Sequence, residues 1–158
     1  MAESLGIDLL IEPEAASMEE FRHDKKVVDI VMQETGGLGA DVTLEMAGSN
    51  RALNTAIHSA RRGGTVILFG IKNKDFILED YNTIIVRGVR MLAIIGRHLW
   101  RTWERTRDIL EDKELGVADL MWKVILNNGQ ETIIPIEEYD PASFEKTMSQ
   151  HPKLLIRF

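Results

Sequence analysis

The chain has 158 residues, 44% of them hydrophobic and 28% charged, with 25 acidic against 19 basic side chains for a net charge of -6. That is the length of one domain and the composition of a folded globular protein, with no extended basic stripe to neutralise phosphates and no cysteine for disulfides or thiolate metal sites. The longest wholly apolar run, residues 91–95, falls far short of the ~20 residues that span a bilayer, and the amino terminus M-A-E-S-L-G-I-D-L-L has no basic lead. The expectation is a cytoplasmic protein that binds neither nucleic acid nor membrane.

Residues 7–11, I-D-L-L-I, read as a short strand closed by Glu12-Pro13, since proline cannot continue a ladder. Ser17 and Glu20 form a capping-box pattern, and Phe21, Val28, Val31 and Met32 then share a helical face as far as Glu34. The glycine-dense T-G-G-L-G-A-D at residues 35–41 invites a phosphate-loop reading. A phosphate loop follows a strand and opens a helix, whereas here the helix comes first and Val42 stands where a third glycine would be needed. A helix C-cap turning into a strand is the expectation.

Residues 41–46 form that strand, Ser49 or Asn50 caps the next helix, and Leu53, Ala56, Ile57 and Ala60 follow at i, i+3, i+4 and i+7. Arg61-Arg62 suit the helix C-terminus and Gly63-Gly64 would stop it. Residues 65–71, T-V-I-L-F-G-I, read as a strand covered on both faces, with Gly70 allowing something to approach its backbone closely. This strand-helix alternation predicts right-handed crossovers and a parallel sheet.

A polar loop, a short segment near residues 81–86 and a strand over residues 89–95 come next. The strand runs into G-R-H-L-W-R-T-W at residues 96–103, a strand-Gly-Arg-His-helix junction of the kind that sits beside ligands at the carboxyl ends of parallel strands. A helix from about Thr102 carries Trp103, Thr106, Ile109 and Leu110, and a second helical piece spans residues 117–125. In the tail, Asn127-Asn128-Gly129 turns the chain, residues 132–136 and 154–158 read as strands, and Asp140-Pro141 caps a helix. His23, His58, His98 and His151 show no H-x-x-x-H pairing, so no metal site is expected unless distant histidines and carboxylates converge.

Four stretches carry a family resemblance: I-D-L-L-I-E-P at residues 7–13, G-A-D-V-T-L-E-M-A-G at 39–48, R-G-G-T-V-I-L-F-G at 62–70 and G-R-H-L-W-R-T-W at 96–103. The chain resembles the C-terminal half of the medium-chain, zinc-type alcohol dehydrogenase superfamily, most closely its threonine dehydrogenase branch, over nearly all its length. The resemblance implies an α/β fold, an incomplete Rossmann-like doubly wound parallel sheet of family strand order 3-2-1-4-5-6. The partial nucleotide-binding domain would span residues 1–126, and residues 127–158 would be a C-terminal tail that packs on the catalytic domain. It makes residues 7–11 the third family strand, 41–46 the fourth, 65–71 the fifth and 89–95 the sixth. It places Phe69, Gly70 and Ile71, with Ile94, Ile95, Gly96 and Arg97, against an NAD cofactor. The family's G-x-G-x-x-G turn, zinc ligands and proton-relay residues have no counterpart here, so the resemblance implies no catalytic residue, no zinc in this chain, and a partial NAD site of weak or absent affinity.

The missing first and second strands would lie between the third and fourth, leaving a gap of about 14 Å where neighbours lie ~4.8 Å apart. Either the third strand docks elsewhere or the fourth exposes a bare edge that pairs with another chain. The expectation is a truncated or split dehydrogenase half, inactive alone and homo-oligomeric through exposed strand edges, or else a non-catalytic module pairing with a separate N-terminal half. His98 is read as a structural or interface residue, Trp100 and Trp103 as packing on one helix face, and Glu45 as a paired buried carboxyl.

Overall fold

The computed structural model describes residues 5–15, 20–71, 75–96 and 98–158. The chain divides into two compact units, one of residues 11–96 and the other of residues 1–10 with 97–158.

In the first unit, helix α1 (Lys25–Glu34) starts at Asp24, whose side chain accepts the Val27 N–H. Ser17 lies outside the described residues and Glu20 precedes the helix, so the expected capping box is not what starts it. The carboxylate directly before the helix does the same work by accepting a first-turn amide. The end is as expected: Thr35 caps, Gly37 at φ 83 donates to Met32 O at 2.7 Å, and β1 (Ala40–Glu45) begins without any phosphate-loop geometry.

Ser49 Oγ accepts the Ala52 N–H at 3.1 Å and caps α2 (Asn50–Ser59). Strand β2 (Ala60–Leu68) lies between β1 and β3 (Arg90–Ala93), and both pairings are parallel. Helix α3 (Tyr81–Arg87), capped by Asp80, joins β2 to β3. Leu53, Ile57, Ala60, Val66 and Val89 form the buried core, where one face of α2 meets the central strand.

Two expectations fail here. Arg61 and Arg62 do not finish a helix. The ladder pairs Ala40 with Ala60 and then jumps to Val42 with Thr65, so residues 61–64 form a bulge inside β2. Arg61 bonds Asp41 across it and Arg62 donates to Val86 O. Residues 7–11 form no strand, and Ile7, Leu9 and Leu10 are exposed. A strand needs a partner for its amides, and the second family strand, which the resemblance puts beside this one, has no counterpart here. Strand β1 is accordingly the sheet's end among the described residues, with Val42, Leu44 and Met46 at 56%, 54% and 62% exposure.

Two asparagines of α2 fasten a segment with no regular structure. Asn54, almost fully buried, donates to Phe21 O and Ile77 O and accepts the Glu79 N–H, while Asn50 accepts the Ile77 N–H at 3.1 Å.

In the second unit, α4 (Arg101–Glu111) and α5 (Val117–Leu120) are followed by a π-helical turn, Met121–Ile125. Strands β4 (Ile133–Pro135) and β5 (Leu155–Arg157) pair in parallel, flanking α6 (Pro141–Met148). Asp140 caps α6 by accepting the Ser143 N–H at 2.8 Å, with Pro141 at the first helical position, as the sequence predicts.

Candidate functional site

The carboxyl ends of β1, β2 and β3 are the place where an open parallel sheet receives ligands. The buried Glu45, last residue of β1, organises them. Its Oε1 accepts the N–H groups of Ala47 at 2.8 Å and Gly48 at 2.6 Å, while its backbone oxygen accepts those of Phe69 and Gly70, both at 2.9 Å. One residue therefore ties the loop after β1 to the loop after β2. The expected pairing of Glu45 is real, and its partners are backbone amides. The sequence signal is an acidic residue closing an apolar strand one residue before Ala-Gly, a turn whose free amides need an acceptor.

Two glycines make the loops touch. A Cβ on Gly70 would run into the backbone nitrogen of Gly48 and the Glu45 carboxyl, and a Cβ on Gly48 would run into the Ile71 carbonyl. Gly48 also sits at φ 65, the left-handed region. The close approach anticipated at Gly70 is thus made by the chain's own Gly48 loop.

Phe69 and Ile71 leave β2 exposed, and Ile94 and Ile95 leave β3 exposed beside them, with Ile94 N–H donating to Leu68 O at 2.9 Å. With Gly70 and Gly96, these residues form an apolar shelf across two adjacent strand ends. Arg97 lies outside the described residues. In the second unit, His98 is exposed, and its carbonyl accepts the Thr102 N–H at 3.0 Å. Trp100 and Trp103 are 74% and 55% exposed, and Trp100 takes the α4 N-cap position at φ 71. Their i, i+3 spacing describes a helix that starts one residue after Trp100.

Beside the bare edge of β1 lies a cavity of about 630 Å³ walled by Thr43 and Leu44 of β1, Val27 and Val31 of α1, and Arg51 and Ala52 of α2. At its rim, buried Asp24 accepts from Arg51 Nη2 at 2.7 Å and from the Glu14 N–H at 2.8 Å. Burial by itself raises the Asp24 pKa, but the bonds from Arg51, Val27 and Glu14 outweigh it and hold the carboxylate below its ordinary value of 3.8. The sequence offers no sign of this pair, whose members lie on different helices.

Residues 1–112 match the family model for zinc-binding dehydrogenases. The chain belongs to the zinc-binding dehydrogenase family. Within it, the chain is 29% identical over 156 residues to an L-threonine 3-dehydrogenase of Symbiobacterium thermophilum, a match covering 99% of this chain and 40% of that enzyme. It is 32% identical over 121 residues to the L-threonine 3-dehydrogenase of Pyrococcus horikoshii, covering 77% of this chain and 32% of the relative. An alcohol dehydrogenase from Thermotoga maritima superposes over 99% of this chain and 40% of its own with a TM-score of 0.70 at 23% identity. A mycobacterial protein solved with NADPH shares the fold over 98% of this chain and 44% of its own, with a TM-score of 0.53 at 14% identity.

This family member therefore spans about two fifths of the length of such relatives, and it corresponds to their C-terminal part. Its Rossmann-like α/β sheet is present in part, as the parallel β1-β2-β3 order shows. Among the described residues no helix is long and apolar enough to cross a membrane.

Proposed function

We propose that this chain supplies the nicotinamide-side wall of an NAD-dependent alcohol or threonine-type dehydrogenase and performs no hydride transfer alone. The apolar shelf formed by Phe69, Ile71, Ile94 and Ile95 carries the reading, because it offers an exposed, hydrophobic surface where parallel strands end. Those residues fit one face of a dinucleotide. When bound, NAD would accept the hydride; the part of this chain is to hold the ring against the shelf and keep water from that face. For the pyrophosphate, the described residues offer no G-x-G-x-x-G turn opening a helix, so affinity for the free cofactor is weak or absent. We assign the family's catalytic zinc to the N-terminal domain that the resemblance leaves outside this chain.

The bare edge of β1 supports association in a cytoplasmic homo-oligomer. The end strand of the sheet among the described residues, with Val42, Leu44 and Met46 exposed, is what an added strand covers. A separately encoded N-terminal half would use the same edge, contributing the strands that the family sheet places there. The purified chain is expected to show no NAD reduction with threonine or small alcohols, and to elute by light scattering as a concentration-dependent oligomer. Leu44→Lys should return it to monomer with a stability change within about 0.5 kcal/mol. Measured turnover of NAD would overturn the half-site reading, and a tight monomer at high concentration would overturn self-association. Zinc-dependent activity restored by co-expression with an N-terminal dehydrogenase half would favour the split enzyme.

A further inference from the structure

On α2 and its neighbours, away from the shelf, three distant side chains converge. His23 lies just before α1, His58 is in the last turn of α2, and Glu79 is just before α3. His23 Nδ1 lies 2.7 Å and His58 Nε2 3.9 Å from the same oxygen, Glu79 Oε2. The two imidazoles stack with centroids 4.1 Å apart at 17°. One ligating atom from each of the three residues lies within 4.8 Å of the others. All three side chains are partly buried, at 24%, 16% and 20% exposure.

We propose that His23, His58 and Glu79 form a binding site for a divalent transition-metal ion of the Zn²⁺ type. Zinc bonds nitrogen at about 2.0–2.1 Å and oxygen at about 2.0–2.2 Å, so tetrahedral ligands stand about 3.3 Å apart. The separations of 2.7 and 3.9 Å from Glu79 Oε2 bracket that value, and ligation requires the two imidazoles, stacked at 17°, to turn out of the stack so that both in-plane lone pairs meet at one ion. Imidazole donors select Zn²⁺, Co²⁺ or Ni²⁺ over Ca²⁺ and Mg²⁺, which prefer an all-oxygen shell.

The ligands are held from behind. Asn54 fixes Phe21 O on the His23 side and the Glu79 N–H on the other, and the His23 N–H itself donates to Glu79 Oε2 at 2.7 Å. Arg87 Nη1 bonds the His58 carbonyl at 2.8 Å and fixes the helix end. Such supporting bonds are what keep metal ligands in register. Ligation through His23 Nδ1 requires the tautomer that carries the ring proton on Nε2, and one or two water ligands would complete the shell. His23, His58 and Glu79 come from three separate elements, a convergence of distant side chains that H-x-x-x-H spacing does not register.

Calorimetric titration of the full chain, prepared without a histidine tag, with ZnCl₂ should give one ion per chain. Co²⁺ should develop the visible absorption of a four-coordinate ion. Glu79→Gln and His58→Gln should each weaken Zn²⁺ by about 100-fold, whereas His151→Gln should leave the titration unchanged. A variant that unfolds is bypassed by imidazole ¹⁵N NMR of the unaltered chain, where Zn²⁺ should shift His23 and His58 but not His98 or His151. The absence of stoichiometric binding, affinity unaltered in both folded variants, or shifts at His98 and His151 instead would each overturn the site.

Discussion

Helices α2 and α4 start from the same premise and end differently. They have ten and eleven residues, each follows a parallel strand in chain order, and each carries its apolar residues on one face. Yet α2 buries Leu53, Asn54 and Ile57, while no residue of α4 is buried. The periodicity of a helix announces that a face wants cover; the rest of the chain decides whether cover arrives. For α2 it arrives as the central strand and α1. The apolar side of α4 shows 46% and 38% exposure at Ile109 and Leu110.

Mutation can break or sharpen that contrast. Ile57→Ala, removing a side chain that is 2% exposed, should cost about 4 kcal/mol in denaturant unfolding. Asp24→Asn should cost about 3 kcal/mol, because it leaves the partly buried Arg51 guanidinium with only the exposed Glu14 carboxylate, 3.9 Å away, as counter-charge. Because the folded Asp24 pKa is depressed, its stabilisation is fully present above 3.8 and is lost as pH falls through the lower folded value. The Asn variant should therefore show a flatter acid limb. Gly48→Ala should cost about 2 kcal/mol through overpacking and left-handed strain, read by thermal melting. Ile109→Ser on α4 should change stability by no more than about 0.5 kcal/mol. A cost near that of Ile57→Ala would show that α4 is covered in solution and would erase the contrast.

What could be read from the sequence follows the same division. The β1-α2-β2 unit and its core were legible because local period and global packing agree there, and the α1 end and the Asp140 cap were legible as local turn chemistry. Residues 7–11 misled because an apolar run specifies extended chain but cannot supply a pairing neighbour. Arg61-Arg62 misled because their position in a bulge is set by the register of β1, which lies twenty residues earlier in the chain, Asp41 facing Arg61. At the site, Glu45 was recognisable as a buried carboxyl, and its amide partners were implicit in Ala-Gly. The Asp24–Arg51 pair and the His23-His58-Glu79 group were not legible, since contacts between separate elements leave no spacing in the sequence.

Asn50 and Asn54 stand one helical turn apart, a rise of about 6 Å, close to the ~6.6 Å that separates alternate residues of an extended strand. Their Oδ1 atoms accept the N–H groups of Ile77 and Glu79, two residues apart, so α2 offers that loop an imitation of a strand edge. The amide protons of Ile77 and Glu79 should then exchange with solvent slowly, although their backbone belongs to neither helix nor strand. Their exchange should accelerate together with that of α2, making helix and loop one cooperative opening unit.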